Sequence, residues 1–250
     1  MTNKFRYFIA NWKMYGDLSS LKSINKVIKF AKSNKKKRFK LIYCPPYTLL
    51  RAFCTKLQNS PLFVGAQNCH EEIKYGAFTG NINAKMIKNL GAKYIILGHS
   101  ENRANGDTNI KINKKINSAL KQKLNVIFCI GETFFQKKRK ETNKIIKKQI
   151  TQGLKGFKKN SRIIIAYEPV WSIGTGIIPK NHELEKNIKF INSAISINTK
   201  LRKIKILYGG SVNPKNIQSL NEINMLDGYL IGGASQNAKK LIDIVRKSYN

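Results

Sequence analysis

Apolar residues in this chain gather in short, unbroken runs instead of alternating with polar ones. Eight such runs occur, at 5–10, 39–43, 62–66, 93–98, 125–130, 162–167, 204–208 and 228–232, most of them rich in β-branched and aromatic residues. A strand with one wet face alternates with period two, so a continuous run of this length suits a strand covered on both faces. Between the runs lie longer polar segments with helical spacing, at 17–33, 108–122, 141–153, 182–198 and 236–248. In the second of these, Ile110, Ile116 and Leu120 fall on one stripe with lysines around the rest, as a helix lying on a sheet requires. Asp17 and Asn181 are candidate N-caps, and Gly91 is placed to close a helix ahead of the fourth strand.

Strict alternation of strands and helices calls for a parallel sheet joined by right-handed crossovers. Such a sheet can be open and doubly wound, or closed. No Gly-x-Gly-x-x-Gly follows the first strand, which argues against a dinucleotide fold. Eight βα units in 250 residues with no spare segment match a closed (β/α)8 barrel, an α/β fold of eight parallel strands with surrounding helices. The expectation is one barrel domain over 1–250.

Composition narrows the classes. With 42% hydrophobic residues the chain can bury a sizeable core, so disorder of the whole is excluded. No stretch approaches the ~20 apolar residues of a membrane span, and the N-terminus lacks the apolar region of a signal peptide. Cys44, Cys54, Cys69 and Cys129 form neither a close pair nor a metal-ligand spacing, which predicts a reduced, cytoplasmic setting.

The formal net charge is +34, from 47 Lys and Arg against 13 Asp and Glu. Such a balance is the usual footprint of a nucleic-acid binder. Yet the excess is 39 Lys against 8 Arg, and with 34 Ile and 27 Asn these AT-codon residues make 100 of 250. Specific phosphate and base recognition recruits Arg for its bidentate fork, and no element here interleaves Arg with aromatics. No specific nucleic-acid partner and no membrane are therefore expected. Compositional drift over a solvated surface, and a charge that attracts anions, both remain open. The basic clusters at 35–38 and 137–140 lie beside loops and read as solvated surface.

More informative is what ends each strand. In an eight-stranded barrel those ends form the active-site face. They carry Asn11 and Lys13, then His99, Ser100 and Glu101, then Gly131 and Glu132, then Glu168, Gly209-Gly210-Ser211 and Gly232-Gly233. Of only 13 acids, Glu101, Glu132, Glu168 and Asp227 lie in or beside these turns.

The segments N-W-K-M (11–14), G-A-Q-N (65–68), G-A-F-T-G (76–80), G-H-S-E (98–101), C-I-G-E (129–132), Y-E-P-V-W-S-I-G-T-G (167–176), Y-G-G-S-V (208–212) and D-G-Y-L-I-G-G-A-S (227–235) resemble the triosephosphate isomerase family, in that family's order. The resemblance implies an isomerase of triose phosphates working through an enediolate, in glycolysis and gluconeogenesis, without cofactor or metal. It implies Glu168 as the base and His99 as the electrophile that polarises the substrate carbonyl. Lys13 would be the cation stabilising the enediolate, with Asn11 orienting it and touching substrate. Glu101 either joins that network or serves the fold alone. Gly174, Ser211, Gly232 and Gly233 match phosphate-contacting positions, while Leu230 and Ile173 match an apolar clamp over the base. Pro169, Val170, Trp171, Ser172, Ile173, Gly174, Thr175 and Gly176 match the lid. Gln67, Asn68, Phe78, Thr79 and Gly80 match a loop that enters a partner subunit, which implies a homodimer.

Three places depart from the family pattern. After G-T-G the lid hinge reads Ile177-Ile178-Pro179, which bears on lid motion. Asn102 stands where the first of two Arg is usual, and Asn81 where an acid is usual. The two asparagines predict an interface ion pair lost as a unit.

Overall fold

A computed structural model describes residues 4–34, 38–157 and 162–249. Eight strands alternate with helices: β1 (Arg6–Asn11), β2 (Phe39–Cys44), β3 (Phe63–Ala66), β4 (Tyr94–Leu97), β5 (Asn125–Ile130), β6 (Ile163–Tyr167), β7 (Lys205–Tyr208) and β8 (Gly228–Ile231). All neighbours pair in parallel, and Tyr7 opposite Gly228 joins β1 to β8, so the sheet closes on itself in chain order. Each strand lies within two residues of its apolar run.

Successive residues of a strand face opposite ways, and the core divides accordingly. Ile9, Ile42, Ile96, Ile127, Cys129 and Leu207 form one buried cluster inside the barrel. Phe8, Ala10, Leu41, Ile95, Phe128 and Ile165, alternating with them, pack outward against the helices.

The helices are α1 (Leu21–Ser33), α2 (Tyr47–Leu57), α3 (Ala84–Asn89), α4 (Ser100–Ala104), α5 (Asn109–Lys121), α6 (Phe134–Lys138), α7 (Thr142–Gly153), α8 (Asn181–Asn198), α9 (Ile217–Asn221) and α10 (Ala238–Lys247). Asp17 does cap, but it caps a 3-10 turn, Leu18–Ser20, that leads into α1. Gly91 follows α3 with its N–H on the Lys88 carbonyl.

Three expectations need correction. Asn181 is the first residue of α8 and not its cap; its side-chain amide instead reaches Glu222 at 3.0 Å and Ser219 at 3.3 Å. In α5 the buried stripe is Ile112, Lys115, Ile116 and Ala119, while Ile110 is 65% exposed. The stripe contains a lysine, which a pattern sought among apolar residues skips. Lys115 is tolerated there because its ammonium bonds both oxygens of Asp107 at 2.7 Å and Asn68 Oδ1 at 3.1 Å. The basic cluster at 35–38 falls almost wholly outside the described residues. That at 137–140 is not simply solvated surface: the Lys137 ammonium lies 3.6 Å from the centre of the Trp171 ring and 2.6 Å from Glu183.

Candidate active site

Parallel strands put all their C-terminal ends on one side, and a cavity of about 570 Å³ opens there. Asn11, Lys13, His99, Glu168, Ile173, Gly174, Ser211, Leu230, Gly232 and Gly233, separated by up to 222 positions in the chain, all line it. Glu101 stands just behind, joined to Lys13.

Glu168 follows β6 directly and is 3% exposed. Its backbone N–H is held by the Ile130 carbonyl at 2.7 Å, which fixes the turn. One carboxylate oxygen, Oε1, lies 3.4 Å from His99 Nε2; the other, Oε2, is buried without a hydrogen-bond partner. Burial pushes this carboxyl above its ordinary range, against the opposing pull of His99, the Cys129 thiol and Lys13. A carboxylate with one oxygen free and a raised proton affinity is equipped to accept a proton.

His99 caps α4. Its Nδ1 accepts the Glu101 N–H at 3.3 Å, so that nitrogen carries no proton and the ring hydrogen belongs on Nε2, the atom facing the cavity. Lys13 sits in the left-handed region at φ +56. Its N–H is taken by Asn11 Oδ1 at 3.1 Å, and its carbonyl accepts from the Gln67 amide at 2.9 Å. The ammonium meets Glu101 Oε1 at 2.5 Å.

The double glycine after β7 makes room. A Cβ at Gly209 would stand 2.7 Å from Glu168 Cγ, and one at Gly210 2.2 Å from the Tyr208 hydroxyl. Across the site, a Cβ at Gly131 would come within 1.8 Å of the Glu168 carbonyl oxygen. These glycines let three strand ends crowd one carboxylate. Gly233, by contrast, has open space where a side chain would be, leaving its backbone approachable.

The segment matching the lid begins with a 3-10 turn, Val170–Ser172, and its backbone crosses to the β7 turn. Gly176 N–H donates to Ser211 Oγ at 3.0 Å, and Ser211 Oγ donates to the Ser172 carbonyl at 2.7 Å. At its start, the Trp171 indole donates to Glu132 at 2.9 Å, and the Tyr167 hydroxyl reaches the same carboxylate at 3.1 Å. At its end, Ser172 Oγ donates to the Ile177 carbonyl and lies 2.8 Å from the Tyr208 hydroxyl. Trp171 and Ser172 thus tether this segment to its surroundings, whereas Ile173, Gly174 and Gly176 line the cavity.

Asp227 belongs elsewhere. It precedes β8, at the opposite end of the barrel, where it takes the Ile206 N–H at 3.0 Å and pairs with Lys205 at 3.1 Å. A loop carboxylate can stand at either end of a strand, and D-G-Y-L begins the strand instead of ending it. Sequence reading also passed over Lys215, Gln236 and Lys240, which line the cavity beside Gly232 and Gly233. Among 39 lysines nothing marked those two.

Gln67 and Asn68 lie at the base of the long loop after β3, where the Tyr47 hydroxyl bonds the Asn68 carbonyl and the Asn68 amide reaches Asn102. Phe78, Thr79 and Gly80 are exposed at its tip. Among the described residues no cluster of three His, Cys, Asp or Glu is arranged to hold a metal ion, and no helix is long and apolar enough to cross a membrane.

The family model described as triosephosphate isomerase matches residues 6–248. A triosephosphate isomerase of Dictyoglomus turgidum is 41% identical over 244 residues, covering 95% of this chain and 97% of its own. That of Rhizobium etli is 36% identical over 250 residues, covering 98% and 97%. Among solved structures, the crystal structure of triosephosphate isomerase from Bartonella henselae superposes with a TM-score of 0.87 at 31% identity, covering 98% of this chain and 99% of that one.

Proposed function

The chain belongs to the triosephosphate isomerase family and is an isomerase of dihydroxyacetone phosphate and D-glyceraldehyde 3-phosphate; we propose that Glu168, His99 and Lys13 carry that reaction. The observation that supports the assignment is the 3.4 Å approach of His99 Nε2 to a buried Glu168 whose second oxygen is unpaired.

Glu168 takes the proton from the carbon beside the carbonyl and returns it to the neighbouring carbon. Meanwhile His99 Nε2–H donates to the carbonyl oxygen, so the intermediate is an enediol(ate) held between acid and base. The Lys13 ammonium stabilises the negative charge that develops, which preorganised charge does best where water is excluded. Asn11 fixes the Lys13 turn, and Glu101 holds the ammonium until substrate replaces it. Oxidation level does not change between the two carbons taken together, so the step needs no external oxidant or reductant.

Gly174, Ser211, Gly232 and Gly233 present backbone N–H groups and a hydroxyl to the phosphate, with Lys215 and Lys240 adding charge. Ile173 and Leu230 cover the base, and the lid from Pro169 to Gly176 shuts the cavity against water.

The proposal extends to assembly. Met14 is 98% exposed beside Lys13, and Tyr75, Phe78 and Met86 are exposed around the loop after β3, more apolar surface than a lone subunit favours. A homodimer burying these, with Thr79 at the loop tip and Asn81 and Asn102 replacing a charged contact, accounts for them. Each subunit is taken as a single barrel unit, and the setting as cytoplasmic.

Turnover of glyceraldehyde 3-phosphate by wild type, Lys13→Met and His99→Gln tests the roles. Wild type should be active without added cofactor, and each variant should lose at least about 100-fold in kcat. Full activity in either variant removes that residue from the assignment.

A further inference from the structure

The far end of the barrel carries a second cavity, of about 560 Å³, among the first residues of the strands. Lys40, Arg162, Arg202, Lys203 and Lys205 line it beside Tyr7, and among the described residues no acid does. Lysine is abundant everywhere in this chain, but arginine is not: two of only eight arginines converge here.

Both are braced. Arg162 Nη1 donates to the Lys123 carbonyl at 3.0 Å, and Arg202 Nη1 to the Leu201 and Thr199 carbonyls at 2.8 and 3.1 Å. Among the described residues neither guanidinium, nor Lys40 or Lys203, pairs with a carboxylate; Asp227 neutralises Lys205 alone. The Lys40 ammonium lies 5.5 Å from the centre of the Phe63 ring and 5.9 Å from that of Tyr7. The crowding is felt by neighbours. Lys88 is pushed below its ordinary range by burial and then by Lys93, Arg162 and Lys123.

We propose that this floor cavity binds an oligophosphate, a linear chain of two or three phosphoryl groups, at a site separate from the isomerase centre. Four uncompensated cations spread over such a volume outnumber what one phosphate can meet. A chain of linked phosphoryl groups presents oxygens along its length to two guanidinium forks and two ammoniums. The source can be inorganic polyphosphate or the tail of a nucleotide, with Tyr7 at the rim available to a base.

The full chain is titrated calorimetrically with inorganic triphosphate at about 0.15 M salt, where distant charges are screened. Wild type should bind saturably, and Arg162→Gln/Arg202→Gln should bind at least about tenfold more weakly, as expected for losing charge-assisted bonds. Lys26→Gln/Lys29→Gln, which removes equal charge from the exposed side of α1, should change affinity less than about twofold by the same screening. Isomerase turnover should stay at the wild-type level in both. Amide shifts in wild type should move at 123–126, 162–165 and 202–206. Equal weakening in both double variants, unaltered binding by Arg162→Gln/Arg202→Gln, or floor amides that do not shift would each overturn the site. Should the arginine variant not fold, the wild-type shift map decides alone. Repeating the titration with ATP assigns the source: tighter binding than triphosphate points to nucleotide, equal or weaker binding to inorganic polyphosphate.

Discussion

His99 Nε2 and Glu168 Oε1 stand 3.4 Å apart with both side chains buried, and the two residues come from strands that are not neighbours in the barrel. Their meeting depends on β4 and β6 flanking the same strand, β5, and on Gly131, which lets the β5 turn lie against the Glu168 backbone. The two groups proposed as acid and base are therefore positioned by the barrel itself before substrate arrives.

Replacing Glu168 by Gln keeps the shape and removes the proposed proton acceptor. We expect kcat to fall about 10²- to 10⁴-fold. Because burial raises this carboxyl above 4.5, the acid limb of kcat/KM in wild type should lie above the ordinary carboxylate range. The stability effect has a definite sign. The folded state holds the proton more tightly than the unfolded one, so ionisation of Glu168 costs stability as pH rises above about 4.5. Urea unfolding of wild type and Glu168→Gln across pH should show the variant gaining relative to wild type over that rise.

Gly209→Ala tests the crowding directly. The new methyl would stand 2.7 Å from Glu168 Cγ, so the carboxylate must shift. A loss of about 1–3 kcal/mol in stability from overpacking is expected. Steady-state rates should fall mainly in kcat, since the phosphate contacts lie elsewhere.

Lys137→Met removes the cation 3.6 Å from the centre of the Trp171 ring and its pairing with Glu183. The contact contributes about 0.5–2 kcal/mol to the order of the lid hinge. Trp171 emission should change, and loop opening rates measured by relaxation dispersion should rise. An unchanged exchange rate would show that Lys137 does not restrain the segment.

Lys115→Met leaves the buried Asp107 with only Lys111, 3.8 Å away and partly exposed, at a cost of about 3 kcal/mol, the low end for a broken buried pair. Lys115→Met with Asp107→Leu should recover much of it. Thermal unfolding of the single and double variants measures the difference.

How far the chain could be read from its residues follows from which interactions are local. The eight strands were legible because a run such as 163–165 (III) is buried on both faces and has no polar residue to interrupt it. The site was legible because Glu168, His99 and Lys13 sit in recognisable segments. Lys115 was not, since its burial depends on Asp107 and Asn68, the latter 47 positions away. Asp227 was misplaced because a residue beside a strand does not declare which end it occupies. Lys215, Lys240 and the floor arginines became visible only when folding gathered them.

All eight strands point the same way, so the molecule has two ends that differ in every side chain yet share one interior. Substitutions at one rim reach the other only through a packed core of Ile9, Ile42, Ile96 and Ile127 that need not change. An isomerase built this way can be rewritten at its base, by lineage or by design, while its turnover stays the same.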